Sequence, residues 1–95
     1  MSAKEMFEKL GYEYNYDDGF IEYEKQEKCE YSNKIHCRKI SFDKSIVQQD
    51  MSIHEWYRDL ETNKYISNEY DMSTFTRDEL QAINQQVKEL GWLDE

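Results

Sequence analysis

Four side chains of the kind that bind zinc lie in the middle of the chain: Cys29, His36, Cys37 and His54. Zinc sites use ligand pairs that are about two to five residues apart, and no pair here has that close spacing. The sequence therefore predicts no metal centre. Since the chain has no secretory signal, both cysteines are expected to be reduced thiols.

Carboxylates are the other abundant group that could do chemistry, but their pattern is not that of a known site. A calcium loop needs ordered Asp and Asn ligands around a central glycine, and none is present. The three glycines each fit a turn or a helix end, which leaves no phosphate-binding loop and no nucleophile elbow. We predict that the protein is not an enzyme and uses no cofactor.

The charge balance bears on the class of partner. The chain has 21 Asp and Glu against 12 Lys and Arg, a net charge of -9. Such a field repels nucleic acid and anionic membranes and attracts basic protein surfaces. Neither a signal peptide nor a long apolar run is found, so a cytoplasmic location is expected. The oligomeric state stays open.

Two helices are predicted near the ends of one domain that spans residues 1–95. Ser2 with Glu5 and Thr76 with Glu79 have the spacing of capping boxes, and each predicted helix ends at a glycine. The buried stripe of the second helix is predicted to comprise Leu80, Ile83, Val87 and Leu90, with Phe75 as a hydrophobic staple.

A β-hairpin is predicted to follow the first helix. Residues 12–17 alternate tyrosine with polar residues, and Asp18-Gly19 fits a two-residue type I′ turn before a returning strand over residues 20–26. That turn fixes the register and places Glu13 opposite Glu24. The aromatic side is assigned to the core, with four rings facing inward: Tyr12, Tyr14, Tyr16 and Tyr23.

The other side of the hairpin is predicted to be acidic. Between residues 13 and 30 there are seven acids and two bases. A third strand over residues 35–42 lies in a basic stretch, with four bases and one acid between residues 34 and 44. Two interpretations remain open: the third strand neutralises the acidic side, or that side is free to bind a partner. The candidate partner-binding residues are Glu13, Asp17, Asp18, Glu22 and Glu24.

The rest of the chain is less clearly patterned. Residues 45–51 have weak strand character, residues 52–60 fit either a short helix or a strand, and residues 61–74 are predicted to be irregular. The fold class predicted is α+β, an antiparallel β-meander of three to four strands packed against a short N-terminal and a longer C-terminal helix.

Several segments resemble a group of small acidic proteins, largely uncharacterised, that phages and mobile elements of Gram-positive bacteria encode. These segments are SAKEMFEKLGY at 2–12, ISFDK at 40–44, ELQAIN at 79–84 and ELGW at 89–92. Residues 48–73 depart from the pattern of the group. The resemblance implies an accessory protein, in the cytoplasm of a bacterial host, that occupies the nucleic-acid-binding surface of a host protein.

Two functional hypotheses follow. In the first, the carboxylates bind a basic groove of a host defence nuclease and inhibit it, in the manner of an anti-CRISPR or anti-restriction protein that mimics nucleic acid. In the second, the protein is an adaptor that binds through exposed aromatic residues of the 53–70 region. The aromatic residues of this second hypothesis are Trp56, Tyr57, Tyr65 and Tyr70.

Overall fold

The computed structural model describes residues 1–30, 32–44, 50–67 and 75–92. In chain order, the elements are α1 (Ala3–Lys9), β1 (Glu13–Asp17), β2 (Phe20–Lys28), β3 (Lys34–Asp43), β4 (Asp50–Asp59), β5 (Tyr65–Ser67) and α2 (Arg77–Glu89). The strands form an antiparallel sheet in the order β1-β2-β3-β4-β5. The predicted α+β meander with two flanking helices is confirmed, and β5 adds a short fifth strand.

Both helices begin at the predicted capping boxes. The Ser2 hydroxyl accepts from the Glu5 N–H at 3.2 Å, and the Thr76 hydroxyl accepts from the Glu79 N–H at 3.1 Å. In each case the glutamate side chain accepts in return from the backbone N–H of the capping residue. These bonds satisfy N–H groups that have no partner inside the helix, which is why the helices start there.

The hairpin of β1 and β2 has the predicted register. Asp18 and Gly19 both have positive φ, 45° and 88°, as a type I′ turn requires. Glu13 pairs with Glu24 and Asp17 with Phe20. β2 continues two residues beyond the predicted end and pairs with β3 over its whole length.

The core lies between the helices and one side of the sheet, which we call the helix-side face. Phe7 of α1 stacks on Tyr23 of β2 with ring centroids 3.9 Å apart, and Tyr12 meets Phe7 edge-on at 5.4 Å. The hydrophobic cluster comprises Phe7, Tyr12, Ile21, Tyr23, Ile40, Phe42 and Ala82.

The prediction that Tyr14 and Tyr16 belong to this core is wrong. Both lie on the helix-side face, but they are 38% and 53% exposed, whereas Tyr12 and Tyr23 are buried. The physical reason is position in the sheet. β1 is an edge strand, and the core lies mainly over β2 and β3, whereas Tyr14 and Tyr16 have Lys4 and Lys44 over their rings and are only partly covered.

The predicted buried stripe of α2 is also partly wrong. Leu80 is 54% exposed, while Glu79, Ala82 and Gln86 are buried. The buried tyrosines account for this orientation, because their hydroxyls need acceptors in the core. Glu79 accepts from the Tyr12 hydroxyl, and the Gln86 side chain accepts from the Tyr23 hydroxyl at 2.5 Å.

Residues 52–60 form no helix. They belong almost entirely to β4, which pairs with β3 from Asp50 opposite Asp43 to Asp59 opposite Lys34, so the strand interpretation was the correct one. β5 occupies residues 65–67 of the stretch that was predicted to be irregular. Residues 45–49 and 68–74 lie outside the described residues. Most of the strand predicted at 45–51 therefore lies outside them too.

Candidate functional site

The predicted acidic residues lie together on the side of the sheet that faces away from the helices, which we call the open face. Side chains alternate along a strand, so the register of β1 and β2 places Glu13, Asp17, Glu22 and Glu24 on this face. Asp18 is exposed in the adjoining turn. Glu22 and Glu24 are half-buried, and the others are exposed. We call these five residues the acidic stripe.

The basic residues of β3 mostly do not reach the acidic stripe. Lys39 lies on the open face, and its Nζ is 3.5 Å from an Oε of Glu22. Arg38 is directed to the opposite face, and Lys44 lies over the Tyr16 ring. Within the described ranges, one ion pair involves a residue of the acidic stripe, namely that of Lys39 with Glu22. Neutralisation by the third strand is therefore partial.

Glu13 and Glu24 are the like-charged pair of the stripe, and Glu24 is partly compensated, because it accepts from the Gln26 side-chain amide at 3.4 Å and lies opposite Lys39 in the β2–β3 pair. The two glutamates are directly opposite each other in the β1–β2 pair, and like charges in that position destabilise a sheet. A depression of about 170 Å³ lies beside them, lined by residues that include Glu13, Asn15, Glu22, Glu24 and Lys39. This space is open to a side chain from another molecule.

Aromatic residues of the 53–70 region are divided between the two faces. Trp56 and Tyr65 share the open face, with ring centroids 6.4 Å apart, and Tyr65 is 66% exposed. Tyr57 lies on the helix-side face, beside His36. Tyr70 lies outside the described residues. We call Trp56 and Tyr65 the aromatic patch, which is separated from the acidic stripe by β3.

A second polar region, which the sequence did not predict, lies on the helix-side face beyond the core. The Arg38 guanidinium connects two strands and a helix. It donates to the Glu55 carboxylate of β4 at 2.8 Å and to the Glu79 carboxylate of α2 at 2.8 Å. All three side chains are nearly buried, with exposures of 14%, 10% and 8%.

The protonation of this network is set by burial and by its hydrogen bonds. Burial opposes ionisation of Glu79, but bonds from Thr76 and Tyr12 and the charge of Arg38 outweigh it, so the pKa of Glu79 lies below its ordinary value. Burial and the bond to Glu79 raise the pKa of Tyr12. Glu79 is therefore a buried carboxylate that is held ionised.

A cleft of about 250 Å³ opens next to this network. Its lining residues are Tyr12, Lys25, Glu27, His36, Arg38, Thr76 and Glu79. Its cations already have acidic partners, since Lys25 pairs with Glu27 at 2.8 Å and Arg38 with Glu55 and Glu79. The arrangement joins α2 to the sheet, and the absence of an enzymatic activity stays a prediction.

The four candidate zinc ligands are not brought together. His36 and Cys37 are adjacent in β3, so they point to opposite faces of the sheet. Cys37 is buried, which raises the pKa of its thiol. Among the described residues, no group of three or more His, Cys, Asp and Glu side chains has the geometry of a metal site.

Comparison with known proteins adds no relative. No protein-family model, curated protein or solved structure matches the chain. The resemblance to small phage proteins stays a prediction. Over the ranges that are described, neither helix has the length and apolar composition to cross a bilayer.

Proposed function

We propose that this protein is a non-enzymatic binding protein whose acidic stripe docks on a basic surface of another protein. The observation that supports this most strongly is the position of Glu13 opposite Glu24 on an exposed sheet face. The fold itself gains nothing from this pair, because like charges across a strand pair are destabilising. A Lys or Arg side chain from a partner would remove that cost and gain two carboxylate contacts.

The density of charge in the stripe supports a more specific partner class. β1 is five residues long, or about 17 Å at 3.4 Å per residue. The five carboxylates of the stripe, with Lys39 paired to one of them, leave about four net charges over that length, or one per roughly 4 Å, which is comparable to the phosphate spacing of about 3.4 Å along one strand of DNA. A protein groove that binds single-stranded nucleic acid would therefore attract the stripe. A host defence nuclease, of the CRISPR or restriction type, binds the phosphate backbone of its substrate with basic residues and is the partner class that we propose.

The proposal that the acidic stripe binds a basic surface is tested with two triple variants of equal net charge. In the stripe variant, Glu13, Glu22 and Glu24 are replaced by Gln. In the control variant, Glu8→Gln, Glu61→Gln and Asp78→Asn remove three exposed charges elsewhere. Binding of both variants to a poly-lysine-coated surface is compared with that of the unaltered protein, at about 50 and about 500 mM salt.

We expect the stripe variant to lose about tenfold in affinity at low salt, since exposed charge pairs are worth about 0.2–1 kcal/mol each. The control variant should lose much less. Equal losses in both variants would mean that the total charge of the protein, and not the stripe, governs binding, and the proposal would be rejected. Inhibition of plasmid cleavage by a guide-loaded Cas9-type nuclease then tests one member of the partner class with the same variants.

A second candidate function is supported by the aromatic patch. Tyr65 is largely exposed beside the half-buried Trp56, and both residue types are enriched in binding hot spots. In this case the protein is an adaptor, and its affinity for a captured partner survives high salt and falls when Tyr65 is changed to Ala. Glu13→Gln should leave that affinity unchanged.

A further inference from the structure

The outer edge of β1 is open to another strand. β1 is the first strand in the sheet order and pairs with β2 on one side only, within the residues described. All five of its residues are exposed. Strand edges in many proteins are protected by proline, by charged side chains or by a bulge, and the charged residues of β1, Glu13 and Asp17, are both acidic, so they repel acidic strands and attract basic ones. β1 contains no proline or lysine, and its pairing with β2 is continuous.

The hairpin determines which backbone groups point outward. In a two-residue hairpin the pair that closes the turn, here Asp17 with Phe20, exchanges both hydrogen bonds. Bonded and non-bonded pairs then alternate, so Glu13 and Asn15 also bond to β2. The N–H and C=O groups of Tyr14 and Tyr16 are therefore directed to the open edge, where an added strand would bond to them.

The two faces of β1 favour different side chains in an added strand. On the open face, an added strand would lie beside Glu13, Asn15 and Asp17, where a cation is favoured. On the helix-side face it would lie beside Tyr14 and Tyr16. Their rings already have Lys4 and Lys44 over them, at 4.8 Å and 5.5 Å, so a further cation is disfavoured there and an apolar side chain fits.

Charge also argues against a second copy of this chain as the occupant, because each copy has a net charge of -9 and the edge strand itself is acidic. If two β1 strands paired antiparallel about Asn15, Glu13 of each would lie opposite Asp17 of the other. Four carboxylates would then adjoin across the new pair, which is destabilising. A strand with alternating basic and apolar residues meets none of this repulsion.

We propose that β1 accepts an extended segment of its partner by antiparallel strand addition, and that this segment alternates Lys or Arg with apolar residues. This inference rests on the proposed function, because the same acidic stripe supplies the charge. It adds a backbone mode of recognition, in which main-chain bonds give affinity and the alternation gives specificity.

The test uses the unaltered protein and capped peptides of about seven residues, a length that spans a typical strand. The first peptide alternates Lys and Val, beginning and ending with Lys. The second has the same composition with the Val residues in one block. Two further peptides have the alternating order with backbone N-methyl groups, either on every Val or on every inner Lys. Affinity is measured by fluorescence anisotropy, and the exchange of the Tyr14 and Tyr16 amide protons by NMR.

In the proposed arrangement the Val residues lie opposite Tyr14 and Tyr16, and their N–H groups bond to β1. N-methyl groups on Val should therefore abolish binding by strand addition. N-methyl groups on Lys point away from β1 and should leave this binding intact. We expect the alternating peptide to bind about tenfold more tightly than the block peptide, and to slow exchange at Tyr14 and Tyr16.

The outcomes separate the two proposals. If all four peptides bind equally, with no change in amide exchange at Tyr14 and Tyr16, the proposal of strand addition is wrong. Binding is then explained by charge attraction alone. If none of the peptides binds at low salt, the acidic stripe itself does not attract basic chains, and the proposed function fails with it.

Discussion

Glu79→Gln is the substitution that tests most directly how the buried network supports the fold. Glu79 accepts hydrogen bonds from the Thr76 N–H, the Tyr12 hydroxyl and the Arg38 guanidinium. Gln keeps the shape of the side chain but has one acceptor oxygen and no charge. At least one charge-assisted bond in a nearly buried site is lost, and such bonds contribute about 1.5–3 kcal/mol each.

We therefore expect the free energy of unfolding to fall by about 2–3 kcal/mol at pH 7, which lowers Tm by about 8–24 °C in a domain of this size. Urea unfolding can be followed by tryptophan fluorescence, because Trp92 packs against Phe42 in the folded state with ring centroids 6.2 Å apart. The control is Asp78→Asn. It makes the same charge change one residue earlier, on the exposed side of α2, and should cost less than about 1 kcal/mol through the helix dipole.

The pH dependence gives an independent check. The pKa of Glu79 is lowered in the folded state, so its stabilising contribution is complete above the ordinary glutamate pKa of about 4.3. That contribution is lost as the pH falls through the lowered folded-state pKa. The stability difference between the unaltered protein and Glu79→Gln should thus be constant near neutral pH and shrink in acid. A difference below about 0.5 kcal/mol at pH 7, or one that does not change in acid, would refute this account of the network.

Substitutions at three further positions test the hairpin and the core by the same unfolding measurement. Glu13→Gln should raise the free energy of unfolding by about 0.2–1 kcal/mol by removing the repulsion from Glu24, and a loss of stability would contradict it. Gly19→Ala should cost about 1–2 kcal/mol, since φ is 88° and nothing lies within 4 Å of an added Cβ, so only the backbone conformation opposes it. Gly19→Asn should cost less, and equal losses would contradict this reading. Phe7→Ala should cost about 3–5 kcal/mol because Phe7 is fully buried against Tyr23, and a loss below about 1 kcal/mol would mean that α1 is not part of the stable core.

The features that the sequence predicted correctly are determined by neighbours in the chain. A capping box involves residues three apart, and a two-residue turn fixes the pairing of the strands on either side of it. Local pattern was therefore enough to predict that the helices are capped by Ser2 and Thr76. It was also enough to predict that Glu13 lies opposite Glu24. The same holds for the acidic stripe, which lies on two strands joined by that turn.

The features that were missed depend on residues far apart in the chain. β4 is extended because it pairs with the full length of β3, and a short apolar pattern cannot reveal that partner. The network of Arg38 joins β3, β4 and α2, so neither its membership nor its burial could be predicted from any one segment. One signal was available: Arg38 alternates with Ile40 and Phe42, which places it on the same face as the core.

The two termini of the described chain come together on the helix side. The Ala3 N–H donates to the Glu89 carboxylate at 2.7 Å, so α1 and the end of α2 are joined directly. A tether or label attached at the start of α1 is thereby held behind the sheet. Immobilised through the start of α1 on a sensor chip, the protein presents its open face to the solution.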